Sequence, residues 1–95
     1  VRVRWAPRAR DGFRLETRYI AQDSPDAARR VAEQVRRAAE ILAIHPRLGR
    51  DGRVIDTREL VVPNSPFTVA YRVREQYVEI VGVVHQAKRW PEHFD

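Results

Sequence analysis

The sequence predicts an α+β fold of order β-α-α-β-β-β, with a helical hairpin packed on one face of a mainly antiparallel twisted sheet. Three observations predict it. The opening alternates apolar and basic residues, two consecutive segments then carry apolar residues at helical spacing, and from Arg53 onward the period returns to that of strands. At 95 residues and one expected core, the whole of 1–95 reads as a single domain.

Val1-Arg2-Val3-Arg4-Trp5 places Val1, Val3 and Trp5 on one side of a short strand and the arginines on the other. Pro7 suits a first helical turn, and Ala9, Phe13 and Ile20 share one face of a helix running to about Gln22. Gly12 weakens that helix by about 1 kcal/mol relative to alanine. Ser24-Pro25-Asp26 starts a second helix, with serine as N-cap, proline at the first turn and a carboxylate near the positive helix end. Its apolar seam is Ala28, Val31, Val35, Ala38 and Leu42. The pairs Arg29–Glu33, Glu33–Arg37 and Arg36–Glu40 are spaced for ion pairing on the outer face. Pro46 ends this helix at His45, and Gly49 and Gly52 open a loop. Strand character is then expected at Val54-Ile55 and Leu60-Val61-Val62. A turn follows at Pro63-Asn64-Ser65-Pro66, then a strand over Phe67–Val73 with its odd-numbered residues buried. Arg74-Glu75-Gln76 breaks that strand, and Tyr77–Val84 reads as its hairpin partner, apolar on both faces and therefore central.

Composition narrows the function. The chain has no cysteine and three widely spaced histidines, His45, His85 and His93, which excludes a zinc finger. No apolar run approaches the length of a membrane span and no secretory segment opens the sequence, so a cytoplasmic protein without membrane contact is expected. No glycine-rich phosphate loop or ligand cluster is present, so neither a metal nor another cofactor is expected. The net charge is +5, and all but one of the 18 basic residues are arginine, the exception being Lys88. That balance favours an acidic partner.

Several motifs in this order resemble the RelE/ParE superfamily of small bacterial toxins, over almost the whole chain. They are Trp5 with Ala9, Tyr19-Ile20-Ala21, Ser24-Pro25 with Ala27-Ala28, and the loop His45-Pro46-Arg47-Leu48-Gly49-Arg50. Thr57-Arg58-Glu59-Leu60, Ala70-Tyr71-Arg72-Val73 and His85-Gln86-Ala87-Lys88-Arg89-Trp90-Pro91 complete the set. The resemblance implies the toxin of a type II toxin–antitoxin pair, neutralised by a protein antitoxin, with two alternatives for its target. ParE-like members poison DNA gyrase without a known hydrolytic site. RelE-like members cut messenger RNA on the ribosome.

If the chain is a nuclease, Glu59, Arg72 and His85 are chemically suited to serve as base, phosphate clamp and acid for attack by a ribose 2′-OH. The structural alternatives are that Glu59 pairs with Arg58 or Arg72 across strands, and that His85 donates to a backbone carbonyl. RelE-like nucleases usually carry an arginine where this chain has Thr68, and tend to carry further lysines or arginines before the third-last strand and a tyrosine in the tail, whereas here Lys88 is the only lysine and the tail offers Trp90 and Phe94, so the ParE-like reading is preferred. On that reading the chain is no enzyme, and the tail residues Lys88, Arg89 and Trp90 are candidate target contacts, an arginine–aromatic composition typical of interface hot spots. The resemblance also implies that the antitoxin lies across the helical hairpin. Phe13, Ala27, Ala28 and Ala32 are the candidate lining of that groove.

Overall fold

The structure, a computed structural model, describes residues 1–94. Strand β1 (Arg2–Trp5) leads into helix α1 (Pro7–Asp23) and helix α2 (Pro25–Ile44). Then come β2 (Arg50–Asp51), β3 (Arg58–Val61), β4 (Phe67–Val73) and β5 (Tyr77–His85). The sheet order is β1-β5-β4-β3-β2. Only the β1–β5 pair is parallel, and the other neighbours are antiparallel. A parallel neighbour cannot be reached through a tight turn. Here both helices and three strands intervene before β5 returns to β1.

One residue makes the helical hairpin. Ser24 closes α1 by donating its N–H to the Ile20 carbonyl at 3.0 Å, and its side-chain oxygen accepts the Ala27 N–H at 3.1 Å as the N-cap of α2. The expected seam of α2 faces inward, with Ala28, Val35, Ala38 and Leu42 buried and Val31 packed against the core. On its outer face Arg37 reaches Glu33 at 3.2 Å and Arg36 reaches Glu40 at 2.9 Å, as the spacing predicts. Arg29 differs. It pairs with Asp26, one turn back at the helix start, rather than with Glu33, which is already shared by Arg36 and Arg37.

The helices pack on one face of the sheet. Their inner residues meet Val3 and Trp5 of β1, Val69 and Tyr71 of β4, and Val78 and Ile80 of β5. An aromatic series runs through this layer: Trp5 stacks on Phe13 at 6.0 Å, Phe13 meets Phe67 edge-on at 5.7 Å, and Phe67 meets His85 at 5.3 Å.

Two further sequence expectations are corrected. Val54-Ile55 is a turn, not a strand: Thr57 donates both its N–H and its hydroxyl to the Val54 carbonyl, at 3.2 and 2.7 Å. Asp56 there takes a left-handed φ of 61°, and Ile55 is 82% exposed. The reason lies in Glu59, whose carboxylate accepts the Arg53 backbone N–H at 2.7 Å and so removes that donor from any ladder. The short pairing in this region falls instead to Arg50–Asp51, opposite Glu59 and Arg58. The second correction concerns β4, where the even-numbered Thr68 and Ala70 are also buried. Beside Ala70 in the sheet lies Gly82, and any side chain on Gly82 would meet the Phe94 ring, so the C-terminal tail roofs the outer face here. Among the described residues no helix is long and apolar enough to cross a membrane.

Candidate functional site

Two surfaces carry functional groups, one on each side of the molecule. Between α1 and α2 runs an open groove of about 580 Å³. Its floor is Trp5, Phe13, Ala32, Val35 and Ala39, and its rim carries Arg10, Arg14 and Arg36. A second hollow lined by Thr17, Ala21, Pro25, Ala28 and Ala32 shares Thr17 and Ala32 with the groove, so the two run together along the hairpin. Of the four expected groove residues, Phe13 and Ala32 line the main groove, Ala28 lines its extension, and Ala27 lines neither. The arginine rim was not anticipated. Arg10 and Arg14 are four apart on one helix, and that spacing is the signal that would have found it.

Across the sheet the arrangement is different. Glu59 stands opposite Ala70, which stands opposite Gly82, so the three share the outer face. Its side chain is fully buried and holds two arginines: Arg50 at 3.1 Å and Arg53 at 3.0 Å, besides the Arg53 backbone N–H. Burial pushes the Glu59 carboxyl upward, but hydrogen bonds from Arg53 and Arg50 outweigh it and hold the carboxyl below its ordinary range. Neither Arg58 nor Arg72 is its partner. Arg58 instead donates to the Gly49 carbonyl at 2.7 Å. Next to it the Tyr71 hydroxyl accepts the Gly49 N–H at 2.8 Å. Burial raises the Tyr71 phenol above its usual value, against the opposing pull of the Gly49 N–H and Arg58.

The three nuclease candidates are not brought together. Arg72 pairs with Glu79 in the register, on the same outer face as Glu59. His85 is opposite Phe67, whose ring faces Phe13 of α1, so the imidazole lies on the helix side with the sheet between it and Glu59. Its Nδ1 accepts the Ala87 N–H at 3.0 Å. The tail candidates are placed differently from one another. Lys88 is tied to Glu16 of α1, and Arg89 is exposed and makes no side-chain ion pair among the described residues. Trp90 lies under Arg53, whose guanidinium carbon sits 3.8 Å from the ring centroid, and edge-on to Phe94 at 6.1 Å. Among the described residues there is no cluster of three or more His, Cys, Asp or Glu able to hold a metal.

Known proteins are similar to this chain in sequence or in fold. The family described as the ParE toxin of the type II toxin–antitoxin system parDE matches residues 3–90. Putative toxin Y4kP of Sinorhizobium fredii is 41% identical over 91 residues, covering 96% of this chain and 94% of that protein. Toxin RelE2 of Caulobacter vibrioides is 36% identical over 86 residues, covering 90% of this chain and 96% of that protein. A chain of the chromosomal ParDE toxin–antitoxin system from P. aeruginosa superposes with a TM-score of 0.77 over 90% of this chain and 95% of its own. At 18% identity that is a likeness of fold. The helical hairpin on its five-stranded sheet, the family match over residues 3–90 and the two relatives aligned over nearly their full lengths converge: the chain belongs to the ParE toxin family of type II toxin–antitoxin systems.

Proposed function

We propose that this toxin acts by binding DNA gyrase through the tail side of the molecule, and that a cognate antitoxin neutralises it from the groove between α1 and α2. The observation that carries the first half is the placement of Glu59 and His85 on opposite faces of the sheet. General acid–base cleavage of RNA needs the base at the ribose 2′-OH and the acid at the leaving oxygen of the same phosphodiester. A carboxylate buried between two guanidiniums is instead a scaffold for a surface. This supports action by contact rather than by hydrolysis.

The groove supports the second half through its chemistry. An apolar floor beneath an arginine rim fits an amphipathic helical segment that buries its apolar anchors and presents carboxylates at the edge. A +5 chain steers such a segment toward it.

Purified toxin is added to gyrase in a DNA supercoiling assay and, in parallel, to cell-free translation. Inhibition of supercoiling, relieved by the antitoxin, is the expected result. Cleavage of messenger RNA with gyrase unaffected would overturn the reading in favour of a ribosome-dependent nuclease.

A further inference from the structure

Glu59 is left without a chemical task by this reading, yet among the described residues it is the one acidic side chain with no solvent exposure in an ion pair. Its contacts lead to the tail. The carboxylate binds Arg53 through the backbone N–H at 2.7 Å and through the guanidinium at 3.0 Å, which fixes both ends of that residue. The guanidinium in turn sits over the Trp90 ring, its carbon 3.8 Å from the ring centroid. Trp90 has its indole Nε1 enclosed and without a hydrogen-bond partner among the described residues, so the ring is held by packing and by Arg53 rather than by its own polar atom. Phe94 completes the arrangement, edge-on to Trp90 and seated where Gly82 has no side chain.

We propose that Glu59 is a positioning residue of the toxin: its buried carboxylate holds Arg53 over Trp90 and so fixes the C-terminal tail in the conformation that meets the target. Arg89, next to the anchored Trp90, is exposed, and this fixed tail presents it. A preorganised segment binds without the ordering cost a loose tail would incur. The inference rests on the reading of the tail as target contact, and its test separates the two.

Glu59→Gln keeps the size of the side chain and removes its charge. Hydrogen exchange of the two indole N–H groups is followed by NMR in the full chain, with Trp90→Phe to assign the signals. In the Glu59→Gln variant the Trp90 indole is expected to exchange at least tenfold faster, while Trp5 is unchanged and serves as the internal control. Gyrase inhibition is expected to weaken about tenfold, and antitoxin binding in the helix groove to stay within twofold. Unchanged exchange at Trp90 would overturn the positioning role. Faster exchange with undiminished gyrase inhibition would overturn its link to the target. If the parent toxin does not inhibit gyrase, the target reading fails by itself, and the indole exchange still decides the anchoring. Should Glu59→Gln not fold, Arg53→Ala removes the stacking group from a more exposed position and is expected to give the same faster exchange. Arg53→Lys keeps the ion pair but lacks the planar face, and is expected to behave like Arg53→Ala.

Discussion

At the scale of single residues, Glu59 shows how one buried charge organises its surroundings. Its carboxyl titrates lower in the folded chain than in the unfolded one, because the arginine hydrogen bonds outweigh burial. The stability it contributes is therefore complete above the unfolded carboxylate range and is lost as pH falls through the lower folded value. Acid titration of the parent followed by circular dichroism should show this loss, and Glu59→Gln should lack that part of the pH dependence. At neutral pH the substitution should lower stability by about 1.5–3 kcal/mol, the range of a hydrogen bond to a charged group. Equal acid sensitivity in both proteins would contradict the assignment. Gly49 illustrates a different constraint: a Cβ there would lie 2.7 Å from both the Glu59 carbonyl and the Tyr71 hydroxyl, so only glycine admits the buried Tyr71–Gly49 bond.

At the scale of elements, the helices are stabilised unequally. Helix α2 has a serine cap, Asp26 in its first turn and a continuous buried seam. Helix α1 has Ala6 at its N-cap with no side-chain bond, and Gly12 in its interior with nothing within 4 Å of where a Cβ would stand. Gly12→Ala should therefore stabilise the protein by about 0.5–1 kcal/mol, read as a higher Tm. Ser24→Ala should destabilise it by about 1 kcal/mol, since it leaves the Ala27 N–H without its cap. A neutral Ser24→Ala would mean that the one-residue link between the helices is held by packing alone. The groove between them offers a third test: Ala32→Trp fills its floor, and antitoxin affinity should fall at least tenfold, or about 1.4 kcal/mol, with little change in Tm. Calorimetric titration showing unaltered affinity would place the partner elsewhere.

At the scale of the whole molecule, charge and shape act together. The two surfaces lie on opposite sides of the sheet, with the helix groove on one and the Glu59–Arg53–Trp90 cluster on the other. On the proposed reading, an antitoxin in the groove would not need to cover the Glu59–Arg53–Trp90 cluster directly. Because the chain carries +5, association with an acidic antitoxin segment should slow about tenfold between 50 and 500 mM salt, measured by stopped flow. Dissociation should change less, because the apolar floor is not screened. A salt-independent association rate would remove electrostatic steering from the account.

The sequence by itself determined the elements whose signals are local. Ser24-Pro25 marked the hairpin because a cap and a proline act within one helical turn. The α2 seam was legible because helix periodicity is repeated over several turns. The Phe67–Val73 and Tyr77–His85 hairpin was legible because the bulky apolar residues at odd positions of the first strand, the polar break at 74–76 and the apolar run after it are all local signals. Tertiary structure alone decided the rest, because it depended on contacts between residues distant in sequence. Arg53-Val54-Ile55 has the composition of a strand, but Glu59 takes its backbone N–H and bends it into a turn. Likewise nothing local in the tail indicates that Trp90 lies under Arg53 or that Phe94 needs Gly82 bare. Which face of the sheet each candidate side chain occupies follows from strand register, and register is set by pairing across the sheet rather than by neighbours along the chain.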